Sequence, residues 1–140
     1  MILESFSVET TEKIAFDLAK SAKSGDIYCL DGDLGAGKTA FSKGFAKGLA
    51  IKDHITSPTF TILNEYKGRL NLYHFDVYRL ESSENLYDTG YEDYFYGGGV
   101  CLIEWSYLIR DIIPDGAIWI TIDRDNTKGE NYRKIEITGR

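Results

Sequence analysis

Gly32, Asp33, Leu34, Gly35, Ala36, Gly37, Lys38 and Thr39 spell GxxxxGK[ST], the spacing at which a chain can wrap a polyphosphate. Glycines and a small alanine let successive backbone N–H groups turn to one side, and a helix starting there adds partial positive charge. Lys38 is expected to neutralise β and γ oxygens, and the adjacent Thr39 hydroxyl offers Mg²⁺ a neutral oxygen ligand. The phosphate-contacting stretch is read as extending to Ala40. The bland alternative, a glycine-rich turn with an incidental lysine, leaves these residue types unexplained.

A second acid is needed to hold the metal and its waters, and both Asp76 and Glu104 fit. Glu104 closes VCLI, a run apolar enough to be buried on both faces, so it is expected at a strand's carboxyl edge, where ligands of α/β sheets sit. It is preferred for the metal, with a helix-starting acid before WSYLI as its alternative. Asp76, between YHF and VYRL, is either a catalytic acid or a turn aspartate. Thr56, Ser57 and Thr59 flank a proline in the loop after the expected helix, a place for a γ-phosphate-sensing switch, although hydroxyl-rich loops are common. Trp105 reads as core, and Arg79 and Arg133 as arginines that could reach a phosphate but are more commonly solvated.

Elements must place these residues. A short strand near Ile2 to Phe6 precedes a helix capped by Thr10 or Thr11, with Ile14, Ala15, Leu18, Ala19 and Ala22 at helical spacing and Gly25 as its stop. Ile27 to Asp31 is a short apolar strand running into the glycine loop, and Phe41, Phe45 and Leu49 mark the helix after it. Strands are expected at Phe60 to Tyr66 and Leu70 to Asp76, a helical turn around Ser83 to Tyr87, a strand at Val100 to Ile103, and a terminal hairpin at Ala117 to Asp123 and Tyr132 to Thr138. Strand, loop and helix followed by hairpins predict a single three-layer α/β domain over residues 1–140, of the P-loop NTPase kind, with a mixed parallel and antiparallel sheet.

Bulk properties narrow the classes further. The 140 residues are 43% hydrophobic and 27% charged, with two prolines, which is the composition of a folded globular chain rather than a disordered one. A net charge of −6 supplies no broad basic face for nucleic acid. The start MILESFSVETTEK carries acids where a secretory signal carries bases, and no apolar run approaches the ~20 residues that span a bilayer, so a cytoplasmic location is expected. Cys29 and Cys101 lie in apolar runs and read as buried free thiols, while His54 and His74 lack metal-site spacing.

GDLGAGKT, SPTF with its apolar strand, YHFDVYRL, GYEDYF and LIEW, in that order, resemble the small TsaE (YjeE-type) ATPases of bacterial tRNA threonylcarbamoyladenosine synthesis. The likeness covers most of the chain from Gly32 to Trp105. It implies ATP as ligand, Mg²⁺ held by Thr39 and Glu104, and Asp76 needed for hydrolysis. It also implies partners: TsaD, which transfers the threonylcarbamoyl group to the adenosine following the anticodon, and TsaB, the scaffold of TsaD. ATP turnover, weak alone, would reset that complex between cycles, with tRNA met only through the partners. Tyr91 departs from the family, whose members often carry an aliphatic residue there. Two other classes share the phosphate loop. A small-molecule kinase needs an acceptor pocket and an arginine lid, for which Arg79 and Arg110 are a poor set, and a nucleotide-gated binding module needs no useful hydrolysis.

Overall fold

The computed structural model describes residues 1–56, 58 and 62–139. In chain order the elements are β1 (Ile2–Ser5), α1 (Val8–Lys20), β2 (Ile27–Asp31), α2 (Lys38–Gly48), β3 (Leu63–Tyr66), β4 (Leu72–Asp76), α3 (Tyr91–Phe95), β5 (Val100–Glu104), β6 (Ile118–Arg124) and β7 (Arg133–Thr138). Tight 3-10 segments cover Ser83–Leu86, Ser106–Ile112 and Asn126–Lys128. The strands form one sheet in the order β1-β7-β6-β2-β5-β4-β3. Its centre, β6-β2-β5-β4, is parallel, and antiparallel pairs close both flanks, so the mixed α/β sheet expected from the sequence is present.

The most apolar strands take the middle. All of β5 and the first four residues of β2 are buried, as strands covered on both faces must be. Alternation divides their side chains between two cores. Tyr28, Leu30 and Leu102 pack with Ala15, Ala19, Phe41, Phe45 and Leu49 of α1 and α2, whereas Cys29, Cys101 and Ile103 pack with Phe75, Leu86, Phe95 and Ile109 on the opposite face. Helices α1 and α2 approach closely because Gly44 and Gly48 lie one turn apart on α2. A Cβ at Gly44 would overlap the carbonyl of Glu12, and one at Gly48 would sit 2.5 Å from the carbonyl oxygen of Phe16.

Several boundaries differ from the sequence expectation for local reasons. The cap of α1 is Ser7, whose Oγ accepts the N–H of Thr10 at 3.1 Å, while the Thr11 hydroxyl is buried against Ser5 Oγ at 2.8 Å. The helix stops at Lys20, and Gly25, at φ +90°, instead belongs to the turn into β2 and donates its N–H to Gly99 at 2.8 Å. Strand β3 is observed from Leu63, Phe60 and Thr61 lying outside the described residues, and β4 starts at Leu72 rather than Leu70. The helical turn near Ser83 is a 3-10 segment held by a capping box between Ser82 and Asn85. Cys29 and Cys101 are fully buried free thiols, and burial pushes each up to about 12. Among the described residues no helix is long and apolar enough to cross a membrane.

Candidate nucleotide site

The parallel register brings three strand ends to one edge: Leu30 lies beside Glu104, Asp76 beside Glu104, and Asp31 beside Thr121. From that edge the chain leaves β2 through Gly32 and enters α2 at Lys38. The Ala36 N–H closes a turn on Asp33 at 3.0 Å, Gly35 and Gly37 adopt φ of +78° and +107°, and the Ala36 side chain is buried between them. Gly37 is the N-cap of α2 with no side-chain cap, and no acid occupies the first turn. The first amides of α2 therefore lack intrahelical acceptors at the positive end of the dipole, the arrangement that holds phosphate. Gly32 also requires its lack of a side chain, since a Cβ there would lie 2.8 Å from the Ile122 carbonyl oxygen.

Lys38 folds back over this loop. Its ammonium is buried, donates to Gly32 O at 2.6 Å and stands 3.4 Å above the ring of Trp105. Burial lowers its pKa, opposed by the charges of Glu104, Asp76, Asp31 and Asp33. A cation held by one carbonyl and an aromatic face, with carboxylates near but not paired to it, is suited to receive an anion.

Glu104 is 4% exposed, and its Oε2 lies 2.6 Å from Nε2 of His74, itself 1% exposed. Among the described residues the other imidazole nitrogen, Nδ1, has no partner. Asp76 is half-buried and takes the Tyr78 N–H on Oδ1 at 3.0 Å; burial raises its pKa, and Glu104 adds to the rise. Asp31, raised mainly by burial, accepts the Ser106 hydroxyl at 2.8 Å. Leu34, Gly35, Gly37, Lys38, Thr39, Asp76, Glu104 and Trp105 together line one cavity of about 320 Å³. An exposed hydroxyl and two carboxylates opening on one polar space form a donor set of the kind hard divalent cations take, so Mg²⁺ fits the residues present.

The described residues expected at the site therefore have positions. Lys38, Thr39, Asp76 and Glu104 converge, and Glu104 ends β5 rather than starting a helix. Thr56 is tied to β3 instead, its carbonyl accepting from Tyr66 and Asn64, and Ser57 and Thr59 lie outside the described residues. Trp105, read as core, does pack on the second core and also lines the cavity, placed there by a left-handed backbone (φ +61°) that turns the chain straight after Glu104. Arg133 is partly exposed and is not among the residues lining the cavity; it donates to backbone carbonyls, Nε reaching Ala36 O at 2.7 Å. Arg110 stacks on Trp119 at 4.7 Å, and Arg79 is exposed. Glu9 lines a different pocket with Phe16 and Lys47, and Thr11 is buried. His74 was missed, although the two-residue spacing of His74 and Asp76 on a strand places both on one face.

The family model described as "Threonylcarbamoyl adenosine biosynthesis protein TsaE" matches residues 5–135. A Bacillus subtilis (strain 168) protein named tRNA threonylcarbamoyladenosine biosynthesis protein TsaE is 50% identical over 131 residues, which is 93% of this chain and 80% of that protein. A protein of the same name from Treponema pallidum (strain Nichols) is 44% identical over 116 residues, covering 83% of this chain and 86% of its own. The crystal structure of Bacillus subtilis YdiB superposes with a TM-score of 0.81 at 44% identity, covering 99% of this chain and 84% of that one. The glycine loop, both cavity carboxylates and Trp105 all fall inside the matched residues, and the chain belongs to the TsaE family.

Proposed function

We propose that this chain is an ATP-hydrolysing subunit in the synthesis of threonylcarbamoyladenosine in tRNA, working with TsaD and TsaB and using hydrolysis to drive a conformational, resetting step. The observation that carries the reading is the single cavity that joins an uncapped helix start, a buried lysine, a hydroxyl and two strand-end carboxylates.

In this reading the loop amides and the start of α2 take the β and γ phosphates of ATP, and Lys38 leaves the Gly32 carbonyl to neutralise them. Thr39 and Glu104 would hold Mg²⁺, which would offset the phosphate charge there. His74, through its 2.6 Å contact, keeps the Glu104 carboxylate facing the cavity. Asp76 orients the attacking water and takes its proton, a role suited to a carboxylate whose pKa burial has raised. The surface charge fits docking on proteins rather than on tRNA, because −6 provides no general attraction for phosphate backbones.

The test is ATP turnover by the chain alone and with TsaB and TsaD from the same cell, following phosphate release into water. Turnover is expected to rise with the partners and to fall about a hundredfold or more in Lys38→Ala while the fold is kept. Undiminished turnover in that variant removes the mechanism, and phosphate appearing on an acceptor instead of in water replaces the hydrolase with a kinase.

A further inference from the structure

We infer that Arg133 is a positioning residue for the phosphate loop: by gripping the Ala36 carbonyl from outside, it aims the Gly37 amide into the anion cradle. The inference rests on the phosphate-binding reading above and adds a residue to it.

The chemistry of the peptide unit supplies the first step. The described peptide bonds include no cis bond, so the carbonyl of Ala36 and the N–H of Gly37 point in opposite directions within one rigid plane. Arg133 Nε holds that carbonyl at 2.7 Å. The Gly37 N–H is thereby directed away from Arg133, and among the described residues no protein acceptor takes it. Gly37 itself lines the cavity.

The second step is that this plane needs holding. Gly37 sits at φ +107°, a region glycine enters as readily as its mirror, so the 36–37 peptide can rotate with little steric resistance. A loop with an unrestrained peptide would present its amide only part of the time. Arg133 occupies the outer side of this plane, where a Cβ on Gly37 would meet Nε at 3.4 Å.

The third step is that Arg133 is well anchored and that most of its donors already lie on backbone carbonyls. It is the first residue of β7, in register with Arg124 of β6 and Ser5 of β1, so its backbone is fixed from both sides. Its Nη1 donates to the carbonyls of Tyr132 at 2.7 Å and Glu130 at 2.9 Å, and Nη2 lies 3.5 Å from Gly35 O. A guanidinium engaged in this way acts through the loop rather than on phosphate.

Calorimetric binding of ADP and of pyrophosphate to the wild-type chain, R133Q, R133K and K38A tests this, together with the amide spectrum of Gly37. R133Q is expected to weaken both ligands by about tenfold or more, and R133K, which keeps a charged donor on a long side chain but not the planar fork, to fall between it and wild type. Pyrophosphate should shift the Gly37 amide proton in wild type and leave it nearly unmoved in R133Q. A purely structural arginine would lower the melting temperature without this selective loss of the Gly37 response. Pyrophosphate binding at wild-type strength in R133Q, or a Gly37 amide indifferent to pyrophosphate in wild type, overturns the inference. If R133Q does not fold, R133K and the wild-type Gly37 response decide. If wild type and K38A alike bind neither ligand, the phosphate-loop reading has failed and this one falls with it; wild-type binding lost in K38A but kept in R133Q defeats this inference alone.

Discussion

Asp76 shows how a residue suited to chemistry can cost the fold. Its folded pKa stands above the ordinary 3.8, first because burial disfavours its charge and then because Glu104 lies near. A raised folded value means that folding favours the protonated form. The stabilising contribution is therefore complete below about pH 3.8 and is lost as pH rises through the folded value. Asp76→Asn, which can still accept the Tyr78 amide, is expected to melt above wild type near neutral pH, with the gap closing toward pH 3.8. The same variant should lose ATP turnover by about a hundredfold or more. A melting point below wild type at neutral pH would show that the carboxylate is not strained by its surroundings. At this scale the sequence was informative where a motif ties residue type to position, as at Lys38 and Thr39. It was silent where backbone geometry decides: nothing in the letters of Trp105 announces a left-handed turn that leaves an indole packed on the core and also facing the cavity. His74 was legible only once its strand and face were known.

At the scale of elements, α2 carries two duties that its composition records. Its first turn has no side-chain cap, while Gly44 in its middle and Gly48 at its end lie against α1, despite the roughly 1 kcal/mol that an interior glycine such as Gly44 costs a helix relative to alanine. Gly44→Ala should consequently go against propensity: overlap with the Glu12 backbone pushes α1 away and destabilises by about 1–3 kcal/mol net. Chemical denaturation reads this directly, and a variant as stable as wild type would mean that the helix pair gives way freely. Continuous apolar runs made β2 and β5 readable, because only strands covered on both faces tolerate them. Helix ends were less readable: Ser7, Thr10 and Thr11 are all competent caps, and the choice falls to Ser7 because Thr11 is buried against Ser5.

For the whole molecule, the parallel centre with antiparallel flanks has a division of labour. The four middle strands bring Asp31, Asp76 and Glu104 to one edge, and the β6–β7 flank returns Arg133 to the loop that leaves β2. A mixed sheet was legible from apolar runs and hairpins, but not the strand order, which pairs β2 with β5 and β6, far away in sequence. Both cysteines lie in the middle of that sheet, fully covered and pushed up to about 12, so at neutral pH neither is a thiolate and neither meets solvent. Alkylation can then proceed only through molecules that have opened, and the rate at which iodoacetamide marks the chain becomes a clock for opening. ADP, bound to the closed form as the proposed function requires, should slow that clock by about the factor 1 + [ADP]/Kd, whereas marking at a rate indifferent to saturating ADP would mean that the thiols are exposed by fluctuations the ligand does not restrain.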